Sequence, residues 1–438
     1  MATLSAKSAK EDAVLRRIES MADEISSFLS ELIKIPTVNP PGESYVDGAR
    51  FLGEKLRALG YEVEYVAAEE RPENTKQHPR LNVIGAMKGQ GPGGGAHPLL
   101  HFDGHFDVVP VGDGWSREPF GGEKVGEGGE ARIYGRGAAD QKSGIAASFF
   151  AVEAARREGV RFAGTIEQSC VVDEESGGFA GMAYLAQKGY VSKDRTDYVI
   201  ITEPLNPDRI CLGFRGVYWS KVTTHGRIGH GSMPFLGVSA IDHMSRFLDV
   251  VVKELKPKLA QRKSAMPVEP PGARYATLNI NAVHGGQPES GIQTPCVADR
   301  CIAILDRRFL IEEPLEQVRG EILEILERLK REVPQFEFSF DDSINTVMPA
   351  LTDAKAPLVT TLGSAIEDIF GKAPPLIASP GTYDQKHVQR IGHVEQCVAY
   401  GPGRLELSHL PDEYCEVKDL VNGAQVMALA AMRLVGTV

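Results

Sequence analysis

Positive charge is what this sequence has least of: 48 Lys and Arg stand against 59 Asp and Glu over 438 residues, a net charge of -11. No basic tract or arm offsets that balance. An acidic surface repels phosphate backbones and anionic headgroups, which removes nucleic acid and membrane from the expected partners. Long apolar runs are missing too. No window is apolar for long enough to span a bilayer, and the opening residues lack the apolar core of a secretory leader, so a cytoplasmic protein is expected. The six cysteines (Cys170, Cys211, Cys296, Cys301, Cys397, Cys415) form no C-x-x-C. That spacing excludes a zinc knot and a disulfide frame and leaves buried free thiols in a reducing compartment. Glycine gathers at 88–95 and 121–130, but neither stretch lies between a strand and a helix, so both read as flexible surface loops and not as phosphate cradles.

What the chain does contain is an alternation of short apolar runs and helical periodicities. Ile18, Met21, Ile25, Phe28 and Leu32 recur at helical spacing up to Ile35-Pro36 and predict one opening amphipathic helix. Strand-length runs follow at 82–85, 98–102, 165–172 and 198–202, with helical patterns at 145–155 and 179–188. Strand-helix alternation predicts an α/β fold with a mostly parallel, doubly wound sheet covered on both faces. From about Gly213 the pattern changes to longer strands (217–224, 276–283, 298–310, 336–340) and two long helices (241–255, 318–329), an α+β insert. Segments 358–369 and 421–434 then return to the first domain. A chain of this length is expected to form two domains, 1–212 with 343–438 and the insert 213–342.

Acidic and imidazole side chains stand at the ends of the early runs. They are His105 in His105-Phe106-Asp107, Asp140 closing Gly135-Arg136-Gly137-Ala138-Ala139-Asp140, the series Asp173-Glu174-Glu175, and Glu203-Pro204; a lone His409 lies far downstream. His105, Glu174, Glu175 and Glu203 each follow a strand and Asp140 precedes a helix, so all gather at the carboxyl edge of the sheet, where such folds bind ligands. Two imidazoles with a surplus of carboxylates suit a pair of divalent cations held close together, with one carboxylate left for proton transfer. Zinc, manganese and cobalt all accept such nitrogen-plus-oxygen donors. His-x-Asp occurs twice in succession. The copy at His101-Phe102-Asp103 reads as structural, and in the second Asp107 is placed to orient the His105 imidazole.

The ordered set Gly104-His105-Phe106-Asp107-Val108-Val109-Pro110, Trp115, Pro119-Phe120, Gly135 to Asp140 and Asp173-Glu174-Glu175 resembles the metallohydrolases grouped around acetylornithine deacetylase, succinyl-diaminopimelate desuccinylase, aminoacylase and carboxypeptidase G. The resemblance runs from Pro36 to near the C-terminus and includes Gly229-His230-Gly231-Ser232-Met233-Pro234 and Asp306-Arg307-Arg308 in the insert. It implies a catalytic α/β domain with a ferredoxin-like dimerisation or lid domain, two divalent metal ions, and hydrolysis of a C–N bond in a small carboxylate-bearing molecule. Asp140 is implied to bridge the metals, with His105 and Glu203 completing one site and Glu175 and His409 the other. Glu174 is implied to take a proton from the attacking water and hand it to the leaving nitrogen, and Asp107 to clamp His105. A cis peptide is implied after the bridging aspartate, at Asp140-Gln141. His230 is implied to reach across a homodimer to steady the oxyanion. Arg215 and Arg308 are placed to fork onto a substrate carboxylate, with internal salt bridges as the competing role.

Two substrate-facing motifs depart from the usual pattern of that family. Pro295-Cys296-Val297-Ala298 stands where Asn-x-x-Pro is common, and Pro380-Gly381-Thr382-Tyr383-Asp384-Gln385-Lys386 stands where Gly-Gly-Thr-Asp-Ala-Arg is usual. Thr382 and Tyr383 are therefore expected in an altered pocket wall, and Phe106 and Tyr383 could offer aromatic faces. Amide cleavage by a deacylase is the favoured reading. The alternatives are an arylamine hydrolase resembling 5-nitroanthranilate aminohydrolase, which releases ammonia, and a binding protein that has lost catalysis; the intact ligand set speaks against the last.

Overall fold

Strands Leu99–His105 and Thr165–Val171 are buried along their whole length, His101, Asp103, Glu167 and Gln168 included, as central strands are when helices cover both faces of a sheet. In the computed structural model, which describes residues 7–286 and 295–438, they lie at the middle of a mixed sheet. Residues 1–6, part of the stretch in which no secretory leader was read, lie outside the described residues. The strand order is Glu62–Ala67, Leu81–Met87, Thr165–Val171, Leu99–His105, Tyr198–Ile201, Cys397–Ala399, Ile210–Phe214. Pairing is parallel from Thr165–Val171 across to Cys397–Ala399 and antiparallel on either side. Four parallel strands thus end at one edge. The segments leaving that edge carry His105, Asp173 to Glu175, Glu203 and, ten residues beyond Ala399, His409.

Helix Lys142–Arg157 starts directly after Asp140 and is buried on every side through Ala155, packed against Val417–Val435. The single opening helix expected from periodicity is two, Ala9–Ser20 and Ala22–Ile33. They break at Met21 (φ -95, ψ 6), while a Ser8/Glu11 capping box fixes the first. The apolar stripe runs through the break because Met21 itself is buried, which is why its spacing conceals the boundary. A second difference lies at 121–130, expected as a loop. Glu123–Val125 pairs there with Arg132–Tyr134, which in turn pairs with Tyr414–Glu416 in a small antiparallel sheet. A three-residue strand is too short to leave an alternating signal.

The chain divides into one unit of 1–213, 352–377 and 383–438, and a second of 214–351 with 378–382. The second unit runs strand, helix, strand, strand, helix, strand, in the sheet order Thr277–Gly285, Arg300–Phe309, Gly216–His225, Glu337–Val347, all antiparallel. That is the ferredoxin-like arrangement. Cys301, Ala303, Leu305 and Phe309 alternate inward and meet Met244, Phe247, Val318, Ile322 and Leu326 from helices Ala240–Val250 and Leu315–Glu332. The first of these helices passes through a π-turn at Val251–Leu255 into Lys256–Leu259. Pro257 has no N–H to continue the ordinary ladder there. Among the described residues no helix is long and apolar enough to cross a membrane, and five of the six cysteines are buried.

Candidate metal centre

His105 closes its strand with the ring held at both nitrogens. Nδ1 donates to the Asp107 carbonyl at 3.0 Å, which leaves Nε2 facing Asp140 Oδ1 at 3.1 Å and Glu203 Oε1 at 3.9 Å. Asp140 turns its other oxygen to His409, whose Nε2 lies 3.5 Å from Asp140 Oδ2 and 3.0 Å from Glu175 Oε1. Two groups of ligand atoms result, His105–Asp140–Glu203 and Asp140–Glu175–His409, each within 4.8 Å and sharing Asp140. The Asp140-Gln141 peptide is cis.

Neighbouring groups fix each ligand in place. Gln141 Nε2 donates to Glu203 Oε1 at 2.7 Å while its own carbonyl accepts from the Thr202 hydroxyl. Glu413 Oε1 accepts from the amides of Gly137, Ala139 and Asp140 at 2.8–3.1 Å, and Oε2 takes Arg136 Nη1 at 2.6 Å. Arg136 in turn donates to the carbonyls of His409 and Leu410, so one fully buried ion pair ties the Asp140 loop to the His409 loop. Neither Gln141 nor the Arg136–Glu413 pair was singled out from sequence, although Arg136 lies within the Gly135–Asp140 block and Gln141 directly follows it. Asp107 meets His105 through both its backbone and its side chain. Its backbone carbonyl makes the His105 bond, while its carboxylate, 3.5 Å from His105 Nδ1, accepts the amides of Glu174 and Glu175 and the side-chain amide of Asn39.

The charges in this cluster oppose one another. Burial and the nearby Asp140 push Glu175 up to about 7, and burial, again with Asp140, pushes Glu203 well above its ordinary value. Hydrogen bonds to Asp140 and Glu175 lift His409 to about 10. For His105 burial opposes the charge, yet Asp107 and Asp140 outweigh it and raise the pKa. Crowded carboxylates that hold protons to relieve repulsion are carboxylates a divalent cation would discharge, and the mixed imidazole and carboxylate donors match borderline cations. The residues present therefore fit a pair of such ions.

Glu174 stands beside the ligands without belonging to either group, its Oε1 bound to Lys386 Nζ at 2.9 Å. Tyr383, expected to alter a pocket wall, is instead buried with its hydroxyl on Cys211 Sγ at 3.4 Å. Phe106 is fully buried, edge-on to Tyr45. Neither offers an aromatic face, and packing has won over the exposure their position suggested. His230, Arg215, Arg308 and Thr382 belong to the second unit. Arg308 forks onto Asp306 at 2.8 and 3.1 Å and so fills the salt-bridge role that competed with substrate binding. Arg215 is 8 % exposed and, among the described residues, donates through its terminal nitrogens to the carbonyls of Tyr275 and Pro380. Burial, then the charge of Arg308, pushes it down to about 10. Thr382 is half-buried. His230 is exposed, and its Nδ1 accepts from the Ser232 amide at 3.1 Å, which leaves the proton of the neutral ring on Nε2.

The model of peptidase family M20/M25/M40 matches residues 101–433. Succinyl-diaminopimelate desuccinylase of Methylorubrum extorquens (strain PA1) is 29% identical over 412 residues, 91% of this chain and 96% of that protein. Among solved structures, the dipeptidase Dug1p from Saccharomyces cerevisiae superposes with a TM-score of 0.74 at 18% identity, over 96% of this chain and 98% of that one. Human carnosine dipeptidase 1 gives 0.74 at 19%, over 98% and 99%.

Proposed function

Because the chain belongs to peptidase family M20/M25/M40, a family of metal-dependent hydrolases of C–N bonds, we propose that it cleaves the amide of an N-acyl amino acid or a short peptide bearing a free carboxylate. The observation that carries this reading is the pair of ligand groups sharing Asp140. His105, Asp140 and Glu203 would hold one divalent cation, and Asp140, Glu175 and His409 the other. When bound, the cations polarise the scissile carbonyl and raise the acidity of the attacking water.

Every other part of the reaction falls to the side chains. Glu174 takes a proton from water as the oxygen adds to the carbonyl carbon, and passes it to the nitrogen as the C–N bond breaks, giving a carboxylate and an amine. The Asp107 carboxylate, by accepting the Glu174 and Glu175 amides, sets the turn that carries base and ligand together. Arg215, whose guanidinium meets no carboxylate within salt-bridge distance among the described residues, anchors the substrate carboxylate. His230 of a second copy donates Nε2–H to the developing oxyanion. A homodimer is the assembly this requires, and the cytoplasm is its proposed compartment. The desuccinylase relative favours an N-succinyl amino acid as the acyl form.

The test is turnover after reconstitution with zinc, manganese or cobalt. The substrates are N-succinyl-L,L-diaminopimelate, N-acetyl amino acids, dipeptides and 5-nitroanthranilate. Stoichiometric acid and amine from an amide substrate supports the reading. Ammonia from 5-nitroanthranilate with no amide cleaved would replace it by arylamine hydrolysis, and no metal-dependent turnover of any of them would refute both.

A further inference from the structure

Lys386 is a lysine buried where an uncompensated ammonium is costly. It is 5% exposed, and it lies at the end of the segment that departs most from the expected sequence pattern. Its Nζ donates to Glu174 Oε1 at 2.9 Å and lies 3.9 Å from Asp384 Oδ1. Asp384 is 1% exposed, and neither of its carboxylate oxygens has a hydrogen-bond partner among the described residues. The ammonium therefore sits between two carboxylates, one structural and one at the reacting centre. Burial opposes its charge, but Glu174 and Asp384 outweigh that and hold the Lys386 pKa above its ordinary value.

The two segments that bring these groups together are pinned to each other independently. His387 Nε2 donates to the Gly177 carbonyl at 2.7 Å. Gly178 (φ +74) passes so close to Asp384 that a Cβ there would lie 2.4 Å from Oδ1 and 3.1 Å from the His387 ring, an approach only glycine permits. Lys386 is thus delivered to Glu174 by a fixed turn. A carboxylate that must exchange a proton with water needs one oxygen free and the other held, since a freely rotating group spends little time in the productive orientation.

We propose that Lys386 is the positioning residue of Glu174: by holding Oε1 it fixes the carboxylate and presents Oε2 to the attacking water. This rests on the reading of Glu174 as the proton-transfer group. It accounts for a lysine, which offers a compact charge on a flexible stem, at a buried position.

The experiment compares zinc-loaded wild type with Lys386→Met, Lys386→Arg, Glu174→Gln and the double variant Glu174→Gln/Lys386→Met, using the N-acyl amino acid or dipeptide that the wild type cleaves fastest. Lys386→Met should lower kcat by about a hundredfold, the cost of misplacing a reacting group by an ångström, with KM and zinc affinity nearly unchanged. Lys386→Arg, which keeps the charge but not the compact ammonium, should restore part of the loss. In the Glu174→Gln background Lys386→Met should add less than about threefold, because groups that act as a unit are not additive. A crystal structure of zinc-loaded Lys386→Met should show Glu174 released from its present orientation. Because removing the ammonium strands Asp384, the same comparison is made in Asp384→Asn, which keeps the shape without the charge. Unchanged kcat in Lys386→Met, or an equal loss with and without Glu174, overturns the proposal. Near-normal turnover by Glu174→Gln overturns instead the reading it rests on.

Discussion

Replacing Glu413 by alanine should do more damage than replacing any metal-facing carboxylate, although Glu413 belongs to neither ligand group. Its carboxylate accepts three backbone amides and one guanidinium nitrogen, all within 3.1 Å, and its side chain is fully buried with that of Arg136 at 1%. Alanine leaves a buried cation unpaired and strands the Gly137, Ala139 and Asp140 amides. Breaking a buried pair from one side costs about 3–5 kcal/mol. At roughly 2 °C per kcal/mol for a chain of this size, the midpoint of thermal unfolding should fall on the order of 10 °C. Zinc content measured by plasma mass spectrometry should fall with it, because Arg136 also holds the His409 and Leu410 carbonyls. Glu413→Gln, which keeps an acceptor for the amides but meets Arg136 without charge, should fall in between. A Glu413→Ala protein that melts within about a degree of wild type and retains two zinc ions would refute the assignment of this pair as the tie between the two loops.

Glu174→Gln should keep its metal content while kcat drops on the order of a thousandfold, since the amide preserves shape and cannot carry the proton; unchanged turnover returns Glu174 to a structural role. Burial, then the adjacent Lys386 charge, pushes His387 down to about 3, so the unfolded chain takes up a proton near pH 6.5 that the folded chain refuses. The stability this lends is complete above pH 6.5 and is lost as pH falls towards 3, by at most about 1.4 kcal/mol per pH unit. Urea midpoints at pH 7 and pH 5 should therefore differ less for His387→Gln than for wild type, and equal differences would count against a neutral His387. Chelation should lower the melting temperature and zinc should restore it, because the ions bind the folded cluster only; a melting curve indifferent to chelator contradicts metal binding at Asp140. Mixing inactive His230→Ala and Glu174→Gln chains should recover part of the activity, since one mixed site holds both wild-type groups. Mixed dimers without activity would remove His230 from the partner's reaction.

The places of His105, Asp140, Glu175 and Glu203 were legible because the physics that sets them is local, whereas His409, and the choice of Glu175 over Glu174 as a candidate ligand, came from the resemblance alone. A strand followed by a carboxylate and a carboxylate preceding a helix both deliver their side chains to the carboxyl edge of a parallel sheet, whatever the rest of the chain does. His105, Asp140, Glu175 and Glu203 meet accordingly, and His409 joins them. What sequence could not give was the partner of each side chain. Lys386 was noticed only as part of a departure from pattern, and its contact with Glu174 spans 212 positions. Tyr383 was placed by its position in a pocket wall, but its hydroxyl meets Cys211 Sγ, and of the two roles left open for Arg308 the internal salt bridge to Asp306 is the one the fold fills. The antiparallel flanks were hidden as well, because Glu62–Ala67 has only Val66 buried and offers no apolar run. At Met21 a continuous apolar stripe masked a break in the backbone.

Cys397–Ala399 lies in the sheet between Tyr198–Ile201 and Ile210–Phe214, strands that precede it by nearly half the chain. On the ribosome, those two strands emerge with a slot between them, each with an unpaired edge, and wait for the whole insert to be translated before the slot is filled. Open edges of this kind invite pairing with other chains. A chain stopped before residue 397 would keep that vacancy for good, and its natural fate is aggregation or the attention of a chaperone.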